Sequence, residues 1–372
     1  MGVIALLWLF VLMTSLFGCD SDSTLSPEPP LPRTVHFRKL MEREAPPFPS
    51  GVAVTPDGRW LVSLGFRTSD VSLYDAQTLE LVAGPLHSIP SRGLGDFDPI
   101  FLFQPHAAVV PPDGSMAVVS SRNGVLGSSL PSLELVWLPP TIIQPRYLIR
   151  DRTGRNYYFN GEENDVQCLS IDDSRAVFEA AATEGIALSR DERELFVLTD
   201  FGTRLKVLGI PDLDLHRSID LPFSGVVVVP LKGADQAIVL GGATPAGQTA
   251  AHTPLMALPV NPVTGSVGSL QILCCESPGG VPFLFADGNQ RVEVGEATAV
   301  VPTSAGTVTI DTKLGTVTLH PADDLESEQP PCCDIATYPD GQRIIIADAL
   351  DLMGPGRLVV FEVEEEVVSP NE

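Results

Sequence analysis

Positive charge is what this chain has least of: 23 Lys and Arg stand against 47 Asp and Glu, a formal net charge of −24 over 372 residues. A nucleic-acid partner is excluded on that ground, because phosphate binding needs clustered cations. The acidic excess serves solubility, and the one cofactor it would admit is Ca²⁺. Familiar catalytic signatures are missing too: no Gly-x-Ser-x-Gly elbow, no His-Glu-x-x-His, no phosphate-binding Gly loop followed by Lys and no EF-hand loop. Hydrolases of the usual kinds are disfavoured by that absence. No long amphipathic helix is legible after residue 20, so a helical body is disfavoured as well.

What is present points to short strands joined by many turns. Pro and Gly are abundant, at 34 and 32 residues, and 44% of the chain is hydrophobic, enough for a large core. One phrase recurs: Gly51-Val52-Ala53-Val54-Thr55-Pro56-Asp57-Gly58, His106-Ala107-Ala108-Val109-Val110-Pro111-Pro112-Asp113-Gly114, and Cys333-Asp334-Ile335-Ala336-Thr337-Tyr338-Pro339-Asp340-Gly341. Each copy reads as an apolar strand, a Pro-Asp-Gly turn and a second apolar strand. Degenerate copies open near Arg146, Glu184, Ser224 and Glu296, giving seven starts near 51, 106, 146, 185, 225, 296 and 334. Most steps are roughly 40 residues, the repeat length of four-stranded blades. The fold expected is all-β, a seven-bladed β-propeller of four-stranded antiparallel blades, occupying 34–366 as one domain with a short tail at 367–372.

This grammar resembles the YVTN-type bacterial β-propeller repeats, architectural relatives of the WD40 propellers. The resemblance covers about 45–366 and is carried by the Pro-Asp-Gly turns, by Glu194-Leu195-Phe196-Val197-Leu198-Thr199-Asp200, by Arg343-Ile344-Ile345-Ile346-Ala347-Asp348 and by Val71-Ser72-Leu73-Tyr74-Asp75. It implies a fold and leaves function open.

The last repeat is one strand short. Asp334 to Tyr338, Arg343 to Ala347 and Arg357 to Glu364 read as three strands, with Glu364-Glu365-Glu366 and a tail beyond them. Thr34 to Leu40 is strand-like and lies before the first repeat. It is expected to be the outer strand of the last blade, removing an exposed sheet edge and closing the ring.

Val3 to Phe17 has the length of a signal-peptide core and is too short for a comfortable membrane span. It ends in Leu16-Phe17-Gly18-Cys19, which resembles the bacterial lipobox. The resemblance implies removal of 1–18 and lipidation of Cys19. Residues 19–33, rich in Ser, Pro and Asp, are then a flexible tether holding the protein to a membrane. The alternative is an ordinary secretory signal with a coincidental Cys. Either way the chain is exported to the bacterial cell envelope, facing periplasm or exterior.

Export sets the redox expectation for the other cysteines. The adjacent pairs Cys274-Cys275 and Cys332-Cys333 are disulfide candidates, since they fall at corresponding connections of late blades in an oxidising compartment. A cofactor-facing pair of the quinoprotein kind is disfavoured, with only three Trp available for docking repeats. A zinc site lacks the usual gap between its cysteines, so no metal ligand is assigned. Cys168, on an apolar strand with Val166 and Leu169, reads as a buried free thiol.

Ligand-binding candidates come from the longest insertions. Gly84 to Pro105 carries His87, Asp96 and Asp98, with His106 opening the next inner strand, and Glu276 to Val294 is the second insertion. Each of these residues also has a plain structural role open to it. The favoured function is a membrane-tethered scaffold that binds a protein or an extracellular polymer. The alternative is a hydrolase or lyase resembling the propeller lactonases, with a site at the channel mouth, and a third reading is a purely architectural subunit of an envelope assembly.

Overall fold

The computed structural model describes residues 33–86, 88–89, 100–101, 104–122, 124–137, 145, 147–160, 165–171, 175–180, 182–232, 236–243, 254–274, 292–303, 306–321, 334–349 and 356–367. Its regular elements are strands, with no helix among the described residues. The strand Trp60–Gly65 shows why. Leu61 packs toward one neighbouring sheet while Val62 and Leu64 pack toward the other, and all three are fully buried. A strand covered on both faces must be apolar at nearly every position, which erases polar alternation and favours Val, Ile and Leu.

Seven four-stranded antiparallel sheets follow one another around a ring, forming a β-propeller. The innermost strands of blades one to seven are Pro49–Val54, Pro105–Val109, Leu148–Arg150, Gly185–Leu188, Ser224–Pro230, Val292–Val294 and Asp334–Thr337. There is no single central core. Buried apolar side chains form seven clusters, each filling the gap between two adjacent blades. In Arg343–Ala349, for example, Ile344 and Ile346 pack toward blade six and Ile345 and Ala347 toward blade one.

The seventh sheet is built from both ends of the body, in the order Arg33–Ala45, Gly356–Val367, Arg343–Ala349, Asp334–Thr337. The N-terminal strand therefore closes the last blade, as its pattern implied, and runs to Ala45 rather than stopping at 40. One boundary is corrected: the strand runs over Gly356–Val367, taking in Glu365 and Glu366 beyond the expected end at Glu364. The partner strand makes that possible, because Arg33 binds Glu365 and Arg38 binds both Glu362 and Glu364, offsetting the run of like charge. Phe37 packs edge-on against Phe361 on one side and His320 of blade six on the other.

Blade six needs a second correction. Residues 296–302 do not open it; Val292–Val294 is the innermost strand and Thr298–Thr303 the second, joined by a tight turn at Gly295. Gly295 has a φ of 56°, a conformation that favours glycine, and a Cβ there would lie 2.5 Å from Glu365 Oε1, so any other residue would also have to displace the Glu365 carboxylate. A three-residue strand without a Pro-Asp-Gly turn leaves little periodicity to read.

The recurring turn has a physical basis. Asp57, Asp113, Asp191 and Asp340 each accept a hydrogen bond from the backbone N–H two residues on, while Gly58, Gly114 and Gly341 take the left-handed conformation that follows. The Asp57 carboxyl is held below its usual range chiefly by the Thr55 hydroxyl and the Arg59 N–H. Burial would raise Asp340, but hydrogen bonds from Gln342 N, Arg343 and its N–H outweigh it, and the net direction is down.

Two outcomes follow for the ring. Tyr338→Phe removes the hydrogen bond from the Tyr338 hydroxyl to Ala76 O (2.7 Å), which ties blade seven to blade one, and is expected to cost about 1–2 kcal/mol in urea unfolding. Asp340 is depressed in the folded state, so its contribution is present above the unfolded carboxyl pKa near ~3.9 and is lost as pH falls through the lower folded value. Asp340→Asn should therefore be destabilised at pH 7, with the gap from wild type narrowing below about pH 4. A gap that stays constant into acid would refute the assignment.

Candidate functional site

Of the ligand-binding candidates in the sequence, His106 falls at the end of the ring where inner strands begin. His106 is half-buried there, its ring 5.2 Å from that of Phe66, which packs on Phe48 at 5.6 Å. His87, Asp96 and Asp98 lie outside the described residues, as do Cys19, Cys275, Cys332 and Cys333; Cys274 ends the strand Gln271–Cys274, and its side chain is outside them as well. The structure thus brings none of these residues into one described constellation. Cys168 is free and buried, and burial pushes its thiol up to about 11. Among the described residues, no group of three or more His, Cys, Asp or Glu is placed to hold a metal ion.

The opposite end, where inner strands finish, holds the cavity. It has a volume of about 460 Å³ and is walled by Val109 of blade two, Ile149 of blade three, Leu188 of blade four, Val228 of blade five and Val292 of blade six. Ile149, Leu188 and Val292 are partly exposed in that wall. Its rim comes from the hairpin turns that leave the inner strands, and these turns differ between blades in one position.

In the turns of blades one, two and seven, the residue after the turn's first carbonyl is Pro56, Pro112 or Pro339. Backbone hydrogen bonds Asp151 N→Asn156 O, Ser189 N→Glu194 O and Leu231 N→Gln236 O align with Thr55 N→Trp60 O and Tyr338 N→Arg343 O. The same position in blades three, four and five is therefore Arg152, Arg190 and Lys232. Three consecutive blades replace a rigid, neutral proline with a long cation. Arg150, two residues before Arg152, adds a fourth.

These cations are held and only partly neutralised. Arg150 donates from Nε to Val110 O (2.7 Å) and from Nη1 to Asp151 O (3.0 Å), which fixes it by backbone carbonyls instead of a carboxylate. Burial depresses its pKa, with Tyr157, Asp151 and Glu192 offsetting the effect. Arg190 pairs through Nη1 with Glu293, reaching from blade four to blade six. Its Nε and Nη2 are buried with no hydrogen-bond partner among the described residues. Burial lowers the Lys232 amine, and repulsion from Lys313 and Arg190 lowers it further. A second cavity, of about 430 Å³, shares Ser189, Arg190 and Pro230 with the first and carries Lys232, Arg193 and His216 outward.

Strain sits in the same place. Where blades one, two, three and seven put Gly58, Gly114, Gly154 and Gly341 at φ of 66–69°, blade four puts Glu192, at φ 55°. A non-glycine there costs roughly 1–2 kcal/mol. The Glu192 carboxylate accepts from the Arg152 N–H at 3.0 Å and pairs with Arg152 Nε at 3.1 Å, steadying the rim between blades three and four.

Neither a protein-family model nor a curated protein matches the chain. The class that the fold and site define is a seven-bladed β-propeller with an open cavity at one end of its ring, walled by apolar residues and rimmed by Arg150, Arg152 and Arg190 together with Glu192 and Glu293. The cavity residues that the sequence reading did not single out are Arg150, Arg152 and Arg190, with Lys232 in the adjoining cavity, and the signal that marks three of the four is the loss of proline at one aligned turn position. Glu192→Gly should remove the left-handed strain while releasing Arg152. Its stability by urea unfolding is expected to equal or exceed that of wild type by up to about 1 kcal/mol; a clear loss would show the Arg152 pairing to outweigh the strain.

Proposed function

We propose that the protein is an exported lipoprotein of the YVTN type, tethered through Cys19, whose propeller is a binding module that presents its cation-rimmed channel mouth to a protein or extracellular polymer partner. The observation that carries the binding reading is the mouth itself. A rigid ring holds Arg150 and Arg190 in place beside partly exposed Ile149, Leu188 and Val292, a pre-formed concave surface of mixed character such as ligand sites have. A rigid scaffold with incompletely paired polar groups in a cleft loses less entropy on binding than a flexible surface would. Support for the tether comes from Leu16-Phe17-Gly18-Cys19 and the Ser, Pro and Asp-rich stretch after it. A single acyl chain binds a membrane only marginally, so a stable tether needs more than one.

The tether is tested by fractionation of the host cell envelope. Wild type should sediment with membranes and be released by detergent, whereas Cys19→Ala should appear in the soluble exported fraction or remain as uncleaved precursor. Equal distribution of the two would remove the lipoprotein reading. Binding is tested by crosslinking on intact cells followed by purification from solubilised membranes, where a stoichiometric partner is expected.

A further inference from the structure

We propose that the channel mouth between blades three, four and five is a binding site for a carboxylate carried at the end of a short apolar stem. The inference rests on the binding-module reading and names the chemistry that this module takes.

Two independent observations converge on it. The first is polar. In arginine, Nε and Nη2 lie on one edge and receive two oxygens side by side, the arrangement that carboxylates and phosphates occupy. Arg190 has its Nη1 engaged by Glu293 and this other edge without a partner, although both atoms are buried. Leaving such donors unsatisfied costs free energy that an acceptor would recover. Arg150, held by two backbone carbonyls, supplies charge nearby without a carboxylate of its own. Against Glu192 and Glu293 in the same lining, Arg150, Arg152 and Arg190 leave one net positive charge, and Lys232 lies in the adjoining cavity that Arg190 shares.

The second observation is apolar. Ile149, Leu188 and Val292 line the cavity and, among the described residues, stay partly exposed there while each packs on one side against an inter-blade cluster. A ligand that buries them gains from removing that apolar surface from water. The cavity, about 460 Å³, falls within the range of small-ligand sites, about 300–1,000 Å³. A phosphate alone would satisfy the arginines and leave the wall wet. A polyanionic chain would have to cross a surface whose parent molecule carries −24. One carboxylate on a short aliphatic stem uses both features at once. Two sources carry that chemistry, the C-terminus of a protein ending in an aliphatic residue and a fatty acid.

Isothermal titration calorimetry on the purified chain decides it, with four probes: N-acetyl-Ala-Ala-Leu as free acid, the same peptide as C-terminal amide, octanoate, and octanol. At least one acid should bind, with its neutral counterpart weaker by about tenfold or more. Whichever acid binds more tightly identifies the source. Arg190→Gln should weaken the acid by about tenfold or more, and Arg190→Lys should fail to restore it, since an ammonium cannot offer the two-donor edge. Should Arg190→Gln not fold, Ile149→Glu keeps the arginine and sets a like charge in the stem's path, and it should abolish binding. Equal affinity for acid and neutral probe, undiminished binding by a folded Arg190→Gln, or binding of oligogalacturonate in preference to every probe would overturn the proposal. So would binding of no probe. A partner captured equally by wild type and Arg190→Gln would sink this inference and leave the binding-module reading standing.

Discussion

Every sheet of this molecule depends on having a neighbour on both sides. Since the buried side chains divide into seven inter-blade layers with no shared centre, an open ring would expose two apolar faces at once, those of the first and last sheets. The layer between blades seven and one is therefore where the ends of the ring must be made to meet. Three kinds of contact do so: the apolar set around Leu61, Tyr74, Ile345 and Leu358, the hydrogen bond from Val52 N to Asp334 Oδ2 at 2.7 Å, and that from Tyr338 to Ala76 O. Pairing Arg33–Ala45 with Gly356–Val367 ties both ends of the propeller into one sheet, so the ring cannot open without breaking that ladder.

Closure fixes the channel geometry, which in turn frees the turns to vary. The inner strands and their packing cannot change without disturbing two layers, whereas a residue at the rim of a turn touches solvent on one side. Blades one, two and seven keep the turn that is locally best, with Pro setting φ and Gly taking the left-handed position. Blades three and four depart from it, with Arg152, Arg190 and Glu192, and blade five adds Lys232. Local rules are broken where a surface is used for something other than folding. The concentration of cations, an unpartnered guanidinium edge and a strained Glu192 in the same arc of the ring fits that pattern better than random drift around all seven turns would.

Much of the architecture was legible because the strongest signal, Pro-Asp-Gly between apolar runs, marks a turn whose Asp and Gly have obligatory roles. It located blades one, two and seven directly, and the spacing then located the rest. Blade six was misread because its inner strand is three residues long and its three-residue turn opens with a glycine packed against Glu365 in place of a Pro-Asp-Gly phrase. The last strand was expected to end at Glu364 because the arginines that compensate its glutamates, Arg33 and Arg38, come from more than three hundred residues earlier in the chain. The site was hidden for a different reason. Insertions such as 84–105 draw attention by length, but the cavity is assembled from short stretches of five blades, most of them from blades three and four, none distinctive in its own stretch of sequence. Arg150, Arg152 and Arg190 become visible only when turns are superposed position by position.

The contrast between the whole molecule and its channel mouth decides what kind of recognition this can be. A net charge of −24 repels anions at long range, so the arginines cannot steer a ligand in from solution. At physiological salt, however, exposed charges are screened beyond about 8 Å, while buried pairs are screened much less. The attraction of Arg150 and Arg190 is thus felt only by a group already seated against the wall of Ile149, Leu188 and Val292. Contact comes first and charge second. Apolar burial brings the stem into the mouth, and the guanidinium edge then discriminates by what the stem carries, slowing release more than it speeds arrival. A site ordered in this way rejects dispersed polyanions by the field of the whole protein and neutral apolar groups by the cost of leaving Arg190 unsatisfied, so selectivity arises from two unfavourable terms acting on different competitors.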